Sequence, residues 1–241
     1  MVKKTLKKIF ELFGFSLNKI NIANSIAYQT VKALNVHGVN VIFDVGANTG
    51  QFANELRSLG YKGKIISFEP LPAAHKVLTE NANKDSNWIV HTQCAVGASL
   101  GEIKINVAGN SVSSSILPMR NSHLEAAPES KYTHQETVPL ITIDSIYNQY
   151  CNKDDNLLLK VDTQGYEWLV LDGAAETLIS CKGVSLELSL VTLYEGQKLW
   201  SDCESRLKKL GLLLYAIQPC FVDSNTGQTL QVDGLFFKSK F

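Results

Sequence analysis

No run of eighteen apolar residues occurs in this 241-residue chain, so the sequence offers no helix able to cross a bilayer. A charge excess is also missing. The 23 basic residues face 23 acidic ones, which sets aside a dedicated nucleic-acid binder. The five cysteines, Cys94, Cys151, Cys181, Cys203 and Cys220, form no C-x-x-C pair and are odd in number. They read as free thiols of a reducing, cytoplasmic setting, not as a disulfide framework or a zinc site. Three signatures are lacking as well. G-x-x-x-x-G-K-S/T is absent, and with it the phosphate-binding loop. H-E-x-x-H and any compact His/Cys cluster are absent, so no metal is expected. The G-x-G-x-x-G turn of nicotinamide enzymes is absent too.

What is present suits one folded domain. The chain is 45% apolar and 19% charged, and its length is at the upper end for a single core. Residues 1–38 read as a helical extension and 39–241 as the domain proper. In MVKKTLKKIFELFGF, Leu6, Ile9, Phe10 and Phe13 share one helical face, with Lys3, Lys4, Lys7 and Lys8 around it. Lys7, Lys8 and Glu11 break the apolar run and no small-residue cleavage site follows, so the segment is a poor signal peptide. Packing on the domain or a partner, and contact with an anionic membrane surface, are the uses open to it. Residues 22–36, with Ile22, Ile26, Val31 and Leu34, predict a second helix that ends near Gly38.

From Val39 the pattern changes to short apolar runs separated by helical stretches. VNVIFDVG (39–46), GKIISFEP (63–70) and WIVHTQCAV (88–96) predict strands, with helices over 50–59 and 72–83. This β-α-β-α-β rhythm is that of a doubly wound sheet. EIKINV (102–107) predicts a short edge strand. Residues 108–137 are rich in Ser, Asn, Pro and Glu and predict a long polar insertion without periodicity. The rhythm resumes with a helix over 141–150, NLLLKVD (156–162), helical residues 167–178 and GVSLELS (183–189). A helix over 196–210 follows, then strands LLLYAI (212–217) and DGLFFK (233–238) around the turn DSNTGQ. The last two strands predict an antiparallel edge and hence a mixed sheet.

The chemistry concentrates where strands end. DVGANTG (44–50) closes the first strand, and its glycines permit a tight turn and close approach of backbone to ligand. Asp44 can order that turn and offset a cationic ligand group. Glu69, ending the second strand before Pro70, is placed to accept hydrogen bonds from both hydroxyls of a ribose. A nucleoside cofactor is thereby indicated, with methyl transfer and hydride transfer as the chemistries left. KVDTQGYE (160–167) brings Asp162 to the same crevice, and Glu187 stands on the neighbouring strand. A hydroxyl acceptor must lose a proton, and Asp162 is the first candidate base or orienter. Glu187 and Glu167 are candidates for holding acceptor hydroxyls or the cofactor's amino end. Against these roles stand an internal Lys160–Glu187 ion pair and a first-turn helix position for Glu167. His91, His123 and His134 are the alternative bases, whereas His37 and His75 read as surface or packing residues.

These segments resemble the FkbM-type family of S-adenosylmethionine-dependent methyltransferases. The resemblance is carried by VIFDVGANTGQFA (41–53), IISFEPLP (65–72), CAVGASLGEIKI (94–105), ETVPLITID (136–144) and LLLKVDTQGYEWLVLDGA (157–174), and it covers about residues 40–238. It implies an α/β class I methyltransferase fold: a Rossmann-like three-layer sandwich with a mostly parallel seven-stranded sheet and an antiparallel final strand. It implies S-adenosyl-L-methionine as cofactor and O-methylation of a hydroxyl on a sugar, glycolipid-like or natural-product acceptor. Methylation at nitrogen and a non-catalytic binding or scaffold role are the alternatives. By this resemblance the turn at Asp44, Gly46, Ala47, Asn48 and Gly50 holds the methionine part, Glu69 and Pro70 the ribose, and Ala95 and Val96 the adenine. Asp162 takes the place of the family's acid after the fourth strand. Where the family commonly has an acid before the following glycine, this chain has Gln164. A carbohydrate-like or small-molecule acceptor is expected, with homodimer formation open through the first helix or the insertion.

Overall fold

The computed structural model describes residues 2–15, 22 and 25–239. Helix α1 spans Val2–Leu12 and leaves Leu6, Phe10 and Phe13 exposed. The side chains of Lys3, Lys4 and Ile9, which enter the predicted amphipathic face, lie outside the described residues. Helix α2 spans Ile26–His37, starting later than the periodicity predicts. Ser25 caps it by accepting the Tyr28 N–H at 3.3 Å, and Gly38 ends it in the left-handed region at φ 64°. Ile22 belongs to a turn.

Strands β1 (Val41–Val45), β2 (Lys64–Phe68) and β3 (Trp88–Val90) alternate with helices α3 (Gln51–Ser58) and α4 (Pro72–Ala82). Short β4 (Ala95–Val96) leads to β5 (Gly101–Ala108), helix α5 (Asn121–Ala126) and β6 (Tyr132–Ile141). Helix α6 (Ile143–Tyr150), β7 (Leu157–Val161), α7 (Glu167–Asp172), α8 (Ala175–Ser180) and β8 (Gly183–Ser189) follow. The order closes with α9 (Trp200–Lys209), β9 (Leu212–Val222) and β10 (Thr229–Lys238).

Among the described residues the main sheet has seven strands in the order β3-β2-β1-β7-β8-β10-β9. β3, β2, β1, β7 and β8 run parallel, while β10 is antiparallel to both of its neighbours. The final strand is therefore reversed, and it pairs with β9 in the antiparallel hairpin expected at this edge of the sheet. It turns back between β8 and β9 and leaves β9 outermost. The reason is burial on both faces. Leu235 and Phe237 enter the core beneath α2, α3 and α4, whereas Val232 and Phe236 enter the core beneath α6 to α9. These two cores on either side of the sheet make three layers.

The predicted structureless insertion is corrected at its end. Residues 132–141 form β6, which pairs antiparallel with β5 and parallel with β4 in a second, three-stranded sheet. Thr133, His134, Gln135 and Thr137 of β6 face solvent and only Val138 and Leu140 are buried, so apolar periodicity does not reveal it. β5 is an edge, as expected, but of this second sheet.

β1 and β7, fully buried, fix the centre. Replacing Leu159, which is inaccessible to solvent, should create a cavity. Leu159→Ala is expected to cost about 2–5 kcal/mol in urea unfolding. Leu213→Ala on the exposed edge strand should stay within about 0.5 kcal/mol.

Candidate active site

The carboxyl ends of β1, β2 and β7 open into a cavity of about 590 Å³. Its floor is the turn after β1. Gly46 takes φ 75°, and a Cβ there would overlap the Asp162 carbonyl oxygen. Gly50 takes φ 92°, and a Cβ there would strike the Trp88 ring at 2.6 Å. Both glycines thus serve close packing of the protein on itself, and Gly50 stands outside the cavity lining. Gly46, Ala47 and Asn48 do line it, together with Glu69, Pro70, Ala95, Val96 and Asp162.

Asp44 is placed differently from the sequence expectation. Its side chain is wholly buried below the cavity. There Oδ1 pairs with Lys160 Nζ at 3.1 Å, and Ser67 Oγ donates to Oδ2 at 3.3 Å. The same ammonium reaches Asp162 Oδ2 at 3.6 Å and donates to the Gly46 carbonyl at 3.3 Å. Burial alone would lower the Lys160 pKa, but Asp44 and Asp162 outweigh it and raise it. Lys160 is therefore committed to these two aspartates, and the alternative pairing with Glu187 is not formed.

Glu69 stands at the end of β2, almost fully buried. Asn48 N–H donates to Oε2 at 2.8 Å and Leu71 N–H to Oε1 at 2.9 Å, which fixes the carboxylate and leaves each oxygen a lone pair for a ligand. Burial pushes its pKa up to about 7, against the pull of those two amides. Phe68, Leu71, Ala95, Val96 and Ile105 supply an apolar wall beside it.

Gln164, the residue that departs from the family pattern, is the hub of the far side. Held at φ 54°, it donates from Nε2 to Asp162 Oδ1 at 2.9 Å and to Glu187 Oε2 at 2.7 Å, and its Oε1 accepts from the Tyr194 hydroxyl at 2.9 Å. An amide can bridge two carboxylates where a third acid would repel them. Glu187 also accepts from Gln231 at 2.9 Å, and burial followed by Asp162 raises its pKa well above the usual range. Glu187 does not line the cavity; it braces Gln164. Glu167 is likewise drawn inward. Its Oε1 accepts from Thr163 N–H, Thr163 Oγ and Gly165 N–H, the role of a helix-start acid tying its own turn. Burial lifts its pKa to about 7.

None of the three candidate histidines reaches the cavity lining. His91 Nδ1 lies 2.6 Å from the Tyr150 hydroxyl. Buried His123 packs against Tyr194 and Phe221, and burial lowers its pKa to about 4. His134 sits exposed on β6 beside Glu136. The lining also holds residues that the sequence reading passed over: Thr30 from α2, Ser111, Val112 and Ser114 from the insertion, and Asp233 from β10. Asp233 carried the same signal as Glu187, an acid inside an apolar strand. Burial and then Asp162 raise its pKa to about 6. All five cysteines are free thiols. No group of three metal-binding side chains occurs among the described residues, and none of their helices is long and apolar enough to cross a membrane.

The strand order and the crevice at the carboxyl strand ends define a class I methyltransferase fold. A proposed methyltransferase from Thermobifida fusca shares it, with a TM-score of 0.50 at 10% identity over 88% of this chain and 79% of that one. Magnesium protoporphyrin IX methyltransferase from Synechocystis aligns over 98% and 97% of the two chains, with a TM-score of 0.48 at 11% identity. The chain belongs to the FkbM methyltransferase domain family, whose model matches residues 44–214. Methyltransferase sdnD of Sordaria araneosa is 30% identical over 159 residues, which is 56% of this chain; the match spans 60% of that relative's length.

The buried carboxyls give a signed pH prediction. Glu69 and Glu167 hold protons in the folded state between 4.5, their ordinary pKa, and about 7. The unfolded chain releases those protons across this window, so stability falls as pH rises through it. The melting temperature of the ligand-free protein is expected to drop between those limits, and Glu69→Gln should flatten the slope. A flat parent profile would show that these carboxyls titrate normally.

Proposed function

We propose that the protein is an S-adenosylmethionine-dependent methyltransferase acting on a hydroxyl of a sugar, glycolipid-like or natural-product acceptor. The observation that carries this reading is the joint placement of Glu69 and Asp162 at opposite sides of the Gly46–Asn48 turn, around one cavity large enough for a nucleoside. The residues fit the cofactor. The lone pairs of Glu69 suit a ribose diol, and the Phe68, Ala95 and Val96 wall suits a planar base. The carboxylates of Asp162 and Asp233 suit a cationic end. When bound, S-adenosylmethionine supplies a methyl group made electrophilic by its positively charged sulfur.

The protein's own residues then have separable tasks. Glu69 fixes the ribose. Asp162, half-exposed to the cavity and held by Lys160 and Gln164, orients an acceptor hydroxyl and takes its proton on a carboxylate oxygen. Burial makes Asp233 more basic than an ordinary aspartate, and it stands by as a second acceptor of that hydroxyl's hydrogen bond. Glu187 and Glu167 act behind the surface by holding Gln164 and the turn. Residues 39–241 form the methyl-transfer domain in this reading. Residues 1–38 are its helical extension, of which α2 closes one cavity wall through Ile26, Ala27 and Thr30.

Calorimetric titration with S-adenosylmethionine, and separately with its demethylated product, tests the assignment. Saturable binding of about one ligand per chain is expected. Glu69→Ala should weaken it about tenfold or more, since two charge-assisted hydrogen bonds are lost. Affinity should rise with pH towards the Glu69 value of about 7, opposite in sign to the stability of the ligand-free protein. Folded protein that binds neither compound would sink the reading.

A further inference from the structure

Helix α1 and the turn after it carry the most exposed large apolar side chains among the described residues. Leu12 is 84% and Phe13 76% accessible, with Phe15, Leu6 and Phe10 also exposed. At 100° per residue, Leu6 and Phe10 share one face of the helix, with Phe13 exposed in the turn just beyond it, while Lys7, Lys8 and Glu11 share the other face. The sequence of this segment adds Lys3 and Lys4, so residues 2–15 carry a net charge of +3 and the remainder of the chain −3. The chain therefore concentrates cationic charge beside apolar side chains at one short helix.

We propose that α1 is an interfacial anchor for an anionic lipid surface. Leu6, Phe10 and Phe13 enter the boundary between headgroups and acyl chains, and Lys7 and Lys8 meet the lipid phosphates. Charge complementarity selects this occupant. An eleven-residue helix is about 16 Å long, too short to span a bilayer but long enough to lie along its surface. Pairing with a second copy of α1 is disfavoured by the same features. Eleven residues hold fewer than two heptads, and two-fold pairing would bring together two sets of four lysines. Short helices are marginal in water, and burial of one face at a bilayer supplies the stabilisation that solvent does not. The inference concerns residues that are not part of the cavity lining and stands apart from the methyl-transfer reading.

Sedimentation of the full chain with vesicles tests it. Vesicles of phosphatidylcholine alone are compared with vesicles containing phosphatidylglycerol at one part in three. The expected result is partitioning onto the anionic vesicles that is at least about tenfold stronger than onto neutral ones and that weakens with added salt. The double variant Phe10→Ser/Phe13→Ser should lose it, and Lys7→Glu/Lys8→Glu should reduce it about tenfold. Binding of S-adenosylmethionine by both variants, measured in the same preparations, should equal that of the parent. Absence of partitioning, or equal partitioning by parent and variants, overturns the proposal. So does a concentration-dependent dimer in sedimentation velocity that the Phe10→Ser/Phe13→Ser change abolishes, which would assign the apolar face to a second copy. If the parent failed to bind S-adenosylmethionine yet bound anionic vesicles, the functional reading would fall and the anchor would stand.

Discussion

One buried ammonium organises the cavity end of the sheet. Lys160 Nζ sits between Asp44 at the end of β1 and Asp162 just beyond β7, and also donates to the carbonyl of Gly46. Two central strands and the turn between them are thus tied at one point. Removing one member of such a buried pair leaves an uncompensated charge, at a cost of about 3–5 kcal/mol. Gly46 belongs to the same joint, because the space that a side chain would need is filled by the Asp162 carbonyl. The two strand ends are joined by the backbone ladder as well, in which the Asp162 N–H donates to the Val45 carbonyl at 3.1 Å.

Around the joint the acids divide by depth. Asp44 is sealed beneath the floor, Asp162 faces the cavity, and Glu187 and Glu167 stand behind it holding polar groups of the protein. Gln164 permits that arrangement. Its amide nitrogen bridges Asp162 and Glu187 while its oxygen takes the Tyr194 hydroxyl, so every polar atom of the side chain is used. Ser115 Oγ donates to the Gln164 carbonyl at 2.6 Å, and this bond ties the polar insertion to the same hub. The serines that line the cavity are delivered by that tether. A segment that is polar in sequence becomes part of the site wall through hydrogen bonds together with the apolar packing of Ile116 and Leu117.

Much of this was legible beforehand. Runs such as VIFDV and LLLKV read as buried strands from their length and flanking turns, and their order with the intervening helices indicated a doubly wound sheet. Glu69 and Asp162 were identifiable because an acid that closes an apolar strand opens onto the ligand crevice. Asp233 lies inside β10 ahead of its apolar run and escapes that rule, because on a strand running antiparallel to β8 the crevice is met before the apolar residues and not after them. β6 escaped notice for a different reason. A strand with only two buried side chains carries little hydrophobic signal.

The sequence by itself determined the class of fold, the end of the sheet where chemistry gathers, and the acids at that end. Those are consequences of local burial and of strand direction, which residue patterns encode directly. Only the tertiary structure decided which acids face the cavity and which are structural, that β10 turns inward between β8 and β9, and that Lys160 chooses Asp44 and Asp162 over Glu187. Each of those outcomes depends on which groups, far apart in the chain, share a low-dielectric space. Pairing and desolvation energies there are set by distances of a few ångströms, which no spacing along the sequence specifies.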